Sequence, residues 1–114
     1  MQQLTQLSAL LVIRFCDKRR RPHALADAGA PEHLAIGCMI ETPRGVLHAQ
    51  EIAAASARNG GLVMGTSDLT KDLRALHTRD RLPLLTSLSL CLLAARACGL
   101  AILDGVHLDL TDEH

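Results

Sequence analysis

The sequence predicts an α/β fold with a parallel sheet of about three βα units. Two observations carry this. Short apolar runs at residues 34–40, 62–64 and 100–103 are strand-like, and each leads to an acid: Glu41, Asp68 or Asp104. Between them lie segments with helical spacing and helix-boundary residues. Strands that alternate with helices pair in parallel, because each crossover returns the chain to the same sheet edge.

The elements follow in order. Leu4, Leu7 and Leu11 recur at spacings of three and four, which predicts a helix over residues 4–15. Residues 16–31 are charged and carry Pro22, Gly29 and Pro31, so they read as a linker or short helix. The unbroken apolar run before Glu41 suits a strand buried on both faces. Thr42, Pro43 and Gly45 make a turn, with Pro43 opening a helix that runs to about Arg58. Its packed stripe is Ala49, Ile52, Ala53 and Ser56, and Asn59, Gly60 and Gly61 stop it. After the second strand, Gly65, Thr66 and Ser67 lead to Asp68, followed by a polar stretch over residues 71–81. Long connections at the carboxyl end of strands often cover a site. Pro83 opens a further helix whose Leu84, Leu88, Cys91, Leu92 and Ala95 are expected to face the sheet, with Gly99 as its C′ residue. Leu90, Leu93 and Ala97 make its other face apolar too, and such a helix should be covered on both sides.

Composition narrows the function classes. The chain has 114 residues, enough for one small domain, and 48% of them are hydrophobic. Phe15 is its one aromatic residue, so the core is aliphatic. Twelve basic and twelve acidic residues cancel, which argues against a general nucleic-acid or anionic-membrane binder. The basic run at residues 18–21 reads as solvated surface. The four cysteines, Cys16, Cys38, Cys91 and Cys98, lack any CxxC or finger spacing and read as free thiols in a reducing cytoplasm. No secretory signal is present. Arg96, Gly99 and Pro83 break the apolar stretch over residues 82–103, which favours a buried helix and strand over a membrane span.

The chemistry is expected at Glu41 and Asp68. Both follow parallel strands, so both fall on the sheet edge where α/β ligand sites lie. Mg²⁺ commonly takes only one or two protein carboxylates and completes its shell with water and substrate oxygens. The competing reading is that each acid caps the next helix, with Asp68 as an N-cap. Asp104, Asp109 and Asp112 form a second acidic group that can supply a further ligand or a general base, or simply cap turns. His48, His77 and His107 could approach the site, but no HxH or HExxH spacing occurs. Backbone N–H groups of Gly65, Thr66 and Ser67 could hold a carboxylate or enolate. No GxxxxGK[ST] phosphate loop is present.

The segments HLAIGCMIETPRGVLHAQEIA, GLVMGTSDLTKDLRALHTRDRLPLLTSLSLCLLAARACGLAILDGV and HLDLTDEH resemble the HpcH/HpaI aldolase and citrate lyase β-subunit family. Within it, the chain most resembles the L-malyl-CoA/β-methylmalyl-CoA lyases. The resemblance implies a (β/α)₈ TIM barrel that forms oligomers, and a Mg²⁺ or Mn²⁺ cofactor. By motif, Glu41 and Asp68 match the metal carboxylates, and Ser67 and Asp68 match the pair contacting the substrate's carboxylate end. The implied reaction is reversible cleavage of a 3-hydroxyacyl-CoA thioester, for example malyl-CoA to glyoxylate and acetyl-CoA.

Residues 30–114 are thereby expected to be the central part of such a barrel. Residues 1–29 resemble the family poorly and are expected to form an atypical N-terminal helix and basic linker. The family's early strands, with a substrate-gripping arginine and the first CoA-binding segment, have no counterpart here, nor do its last strand and C-terminal catalytic acid. A central fragment with impaired activity is therefore expected, and a homo-oligomer if the full barrel is completed. The alternatives are a non-catalytic interaction module and a metal-assisted malyl-CoA thioesterase.

Overall fold

Four parallel strands lie side by side in chain order, β1-β2-β3-β4, in the computed structural model of the chain. The structure describes residues 10–14, 29, 31 and 34–108. The strands are β1 (Leu10–Arg14), β2 (Ala35–Ile40), β3 (Asn59–Met64) and β4 (Ala101–Leu103). The helices are α1 (Pro43–Leu47), α2 (Ala49–Ala53), α3 (Thr66–Asp72) and α4 (Leu82–Ala97). Sequential order without reversal is the arrangement of an α/β barrel wall, and it sends every strand's carboxyl end to one edge.

The N-terminal expectation is corrected. Residues 10–14, assigned to a helix by leucine spacing, form a strand whose partners in β2 run from Leu10↔Ala35 to Arg14↔Met39. An unbroken LLVI run satisfies helix and buried-strand patterns alike, and pairing with β2 decides for the strand. The remainder of the expected helix, the basic run, Cys16 and most of the linker lie outside the described residues.

The first crossover helix is split. Thr42 caps α1 by accepting a bond from Gly45 N at 3.0 Å, with Pro43 at the helix start, as the turn chemistry predicts. His48 then leaves the helical region (φ −111°, ψ 17°), and α2 ends at Ala53 rather than near Arg58. Asn59 does stop the helix, but from inside β3. Its Nδ2 donates to the carbonyls of Ile52 (3.2 Å) and Ala53 (3.1 Å), and its Oδ1 accepts from Gly61 N (3.2 Å). The following glycines are therefore strand residues, with the β2–β3 register slipping by one at Gly60. A Cβ at Gly61 would stand 3.1 Å from the Ala101 carbonyl oxygen of β4.

The core lies between the sheet and the helices. Ile40, Leu62, Leu69 and Cys91 are its largest fully buried side chains, joined by Ile36, Met64, Val46, Leu84 and Ala95. Helix α4 buries Leu84, Cys91, Ala94 and Ala95 and partly buries Leu88, but Leu92 is corrected to an exposed position at 44%. Its opposite side exposes Leu82, Leu85, Leu90 and Leu93. The helix ends as expected at Gly99 (φ +67°), with Gly99 N bonded to Arg96 O (3.1 Å) and Leu100 N to Ala95 O (2.8 Å). This paired closure satisfies the last carbonyls and turns the chain into β4. Among the described residues, no helix is long and apolar enough to cross a membrane.

Burial sets the cysteine chemistry. Desolvation raises the Cys38 and Cys91 thiols to about 11, because the thiolate is the form that loses hydration. At pH 8, peptide mapping after brief alkylation is expected to find Cys98, which is partly exposed, modified well ahead of Cys38 and Cys91. Modification of the two buried thiols at the same rate under native conditions would contradict the packing.

Candidate functional site

Glu41 is the first residue after β2 and is only 4% exposed. An acid so deep is costly to hold without compensation. The space beside it exists because residue 65 is glycine. A Cβ there would lie 2.6 Å from Glu41 Cβ and 3.2 Å from Glu41 Oε2. Gly65 also donates its N–H to Ile40 O at 2.8 Å, so the peptide linking β3 to α3 is fixed against the end of β2. That N–H is committed, which removes it from the set of amides expected to face a ligand.

Ser67 and Asp68 follow in the first turn of α3. Both are exposed, and Asp68 sits three residues past the N-cap Gly65 rather than being the cap itself. The Thr66 side chain points inward and is 5% exposed, while Thr70 Oγ1 donates back to Thr66 O at 2.7 Å. Glu41 and the Gly65–Asp68 turn are thus brought to one edge of the sheet, as the two strand-end acids predict.

Asp104 directly follows β4 and is held by Arg81. Two bonds join them, Nη1 to Oδ2 at 2.5 Å and Nη2 to Oδ1 at 2.7 Å. The guanidinium, chiefly by hydrogen bonding, holds the Asp104 carboxyl below the ordinary aspartate range. Asp104 is therefore committed to a loop contact. Between that loop and the end of β4 lies a cleft of about 670 Å³ that includes Thr66, His77, Arg79, Arg81, Asp104 and His107 in its lining. The polar stretch lines this cleft through His77, Thr78, Arg79 and Arg81, and two of the three expected histidines, His77 and His107, reach it. The third, His48, is instead 3.0 Å from Glu51 on the helical side. Glu41, Ser67 and Asp68 do not line the cleft; Thr66 is the residue next to both. Asp109 and Asp112 lie outside the described residues.

Sequence reasoning singled out Thr66 for its backbone N–H alone, and did not single out Arg81 or Gly105. Arg81 ends the polar stretch that reads as a long connection covering a site, and only the fold brings it to Asp104.

No group of three His, Cys, Asp or Glu side chains able to hold a metal ion occurs among the described residues. Mg²⁺ makes a sparser demand, commonly one or two protein carboxylates with water and substrate oxygens completing its shell.

A sequential parallel βα sheet with acids at its carboxyl edge defines the class: part of a barrel whose chemistry sits at the strand ends. The chain belongs to the HpcH/HpaI aldolase/citrate lyase family, whose model matches residues 2–114, residues 2–29 included. It is 51% identical over 88 residues to a (3S)-malyl-CoA thioesterase of Cereibacter sphaeroides, covering 77% of this chain and 30% of that protein. It is 40% identical over 74 residues to the citrate lyase subunit beta of Leuconostoc mesenteroides, covering 65% of this chain and 24% of that one. Among solved structures, it matches a citrate lyase beta subunit from M. tuberculosis complexed with oxaloacetate and magnesium, with TM-score 0.66 and 31% identity. That match covers 91% of this chain and 46% of the other. RipC from Yersinia pestis shares the fold at TM-score 0.76 and 24% identity, covering 90% of this chain and 47% of that one. The chain thus spans about a third of the length of the curated relatives it matches.

Proposed function

We propose that this chain carries the metal-binding centre of a Mg²⁺- or Mn²⁺-dependent enzyme that cleaves a 3-hydroxyacyl-CoA thioester such as malyl-CoA to glyoxylate and acetyl-CoA. The supporting observation is the buried Glu41 carboxylate packed against Gly65, with Ser67 and Asp68 in the turn that follows. Glu41 and Asp68 hold the cation, and the Ser67 hydroxyl donates to the substrate's carboxylate end. When bound, the cation stabilises negative charge on the oxoacid oxygens as the carbon–carbon bond breaks. The magnesium and oxaloacetate of the M. tuberculosis relative are of the ligand class this reading requires.

A second reading is hydrolysis of the thioester to malate and free CoA, favoured by the relatives named (3S)-malyl-CoA thioesterase. Product analysis separates the two: glyoxylate with acetyl-CoA marks the lyase, and malate with CoA marks the hydrolase. The four strands among the described residues do not close an eight-stranded barrel. The 114-residue polypeptide assayed alone with malyl-CoA and Mg²⁺ is therefore expected to turn over slowly, if at all, in a cytoplasmic-type reducing buffer. Addition of the complementary strands of a relative, with assembly into an oligomer, is expected to raise turnover. Rapid turnover by the isolated chain would contradict this part of the proposal.

A further inference from the structure

We propose that the Arg81–Asp104 pair positions the Ser67–Asp68 turn, a role that rests on the reading of that turn as part of the site. A chain of contacts runs from the pair to the turn. Arg81 lies in the left-handed region (φ 57°), costly for a side-chain-bearing residue and maintained where surrounding contacts demand it. Its planar fork grips both oxygens of Asp104, a residue 23 positions away. Asp104 Oδ1 also accepts from Gly105 N at 2.6 Å, which orients the Asp104–Gly105 peptide just after β4. Gly105 in turn lies so close to Thr66 that a Cβ there would stand 2.8 Å from Thr66 Cγ2 and 3.0 Å from its Cβ. Thr66 is the first residue of α3, directly before Ser67 and Asp68. The ion pair thus presses the loop after β4 onto the base of the turn that presents both site residues.

The pair itself is solvent-accessible, with its two side chains 38% and 57% exposed, so breaking it should barely alter global stability. That separates a positioning role from a merely structural one. The test is hydrogen exchange by mass spectrometry on the full chain, comparing wild type with Arg81→Lys, Arg81→Gln and Asp104→Asn, alongside Mn²⁺ titration by electron paramagnetic resonance. The expected result is exchange about twofold to fivefold faster at residues 65–70, unchanged exchange at residues 35–40, and Mn²⁺ affinity weakened by a similar factor. The double variant Arg81→Gln/Asp104→Asn should be no worse than either single change, because the two groups act as one. Faster exchange confined to residues 73–81, or spread uniformly through β2, would overturn the proposal. If the turn loosens as expected while even the wild type binds no Mn²⁺, the positioning role stands and the metal reading of Glu41 and Asp68 falls.

Discussion

Glu41→Gln is expected to lower divalent-cation affinity by about 100-fold or more while leaving the fold in place. The change is isosteric, so the space against Gly65 stays filled and the surrounding packing is retained. What it removes is the negative charge. For a hard cation that takes only two protein carboxylates, losing one removes half of the anionic protein donors. Substitution of groups that merely orient metal ligands already costs about 10–100-fold, and a direct ligand should cost at least the upper end. Circular dichroism should overlay with that of wild type, while Mn²⁺ binding falls. Asp68→Asn should behave alike, with still less structural effect because Asp68 is exposed.

Gly65→Ala is expected to be the most damaging small substitution at the site, costing about 1–3 kcal/mol of stability as overpacking does and displacing the Glu41 carboxylate. The added Cβ would meet Glu41 Cβ at 2.6 Å, a contact no rotamer change relieves, because a Cβ moves only with its backbone. Retreat of residue 65 is opposed by its hydrogen bond to Ile40 O. Thermal unfolding should therefore show a lower midpoint, and Mn²⁺ affinity should drop in the folded variant. Unchanged stability and unchanged metal affinity together would show that Gly65 is not the spacer on which Glu41 depends.

Half of the sheet was legible because β2 and β4 are apolar runs closed directly by acids. Residues 34–40 and 100–103 fall within a residue of β2 and β4. The misses share a cause: local patterns with two meanings that only tertiary pairing resolves. Leucine spacing at residues 4–15 spoke for a helix, but partners in β2 make a strand of residues 10–14. Asn59, Gly60 and Gly61 carry a helix-stop signature, yet they enter β3 and Asn59 stops the helix by reaching back to its last carbonyls. At the candidate site, Glu41 and Asp68 were singled out by their place after strands and, with Ser67, by motif. Arg81 and the side chain of Thr66 were not, because an ion pair across 23 residues and a threonine wedged against a glycine leave no periodic trace.

The most direct test of the central claim is Mn²⁺ titration of the wild-type chain, with and without a 2-oxoacid such as oxaloacetate. Sites with few protein ligands rely on substrate oxygens to complete the cation's shell. About one ion per chain is expected to bind, more tightly when the oxoacid is present, with both effects lost in Glu41→Gln. Binding that is equal in wild type and Glu41→Gln, or that ignores the oxoacid, would contradict that claim.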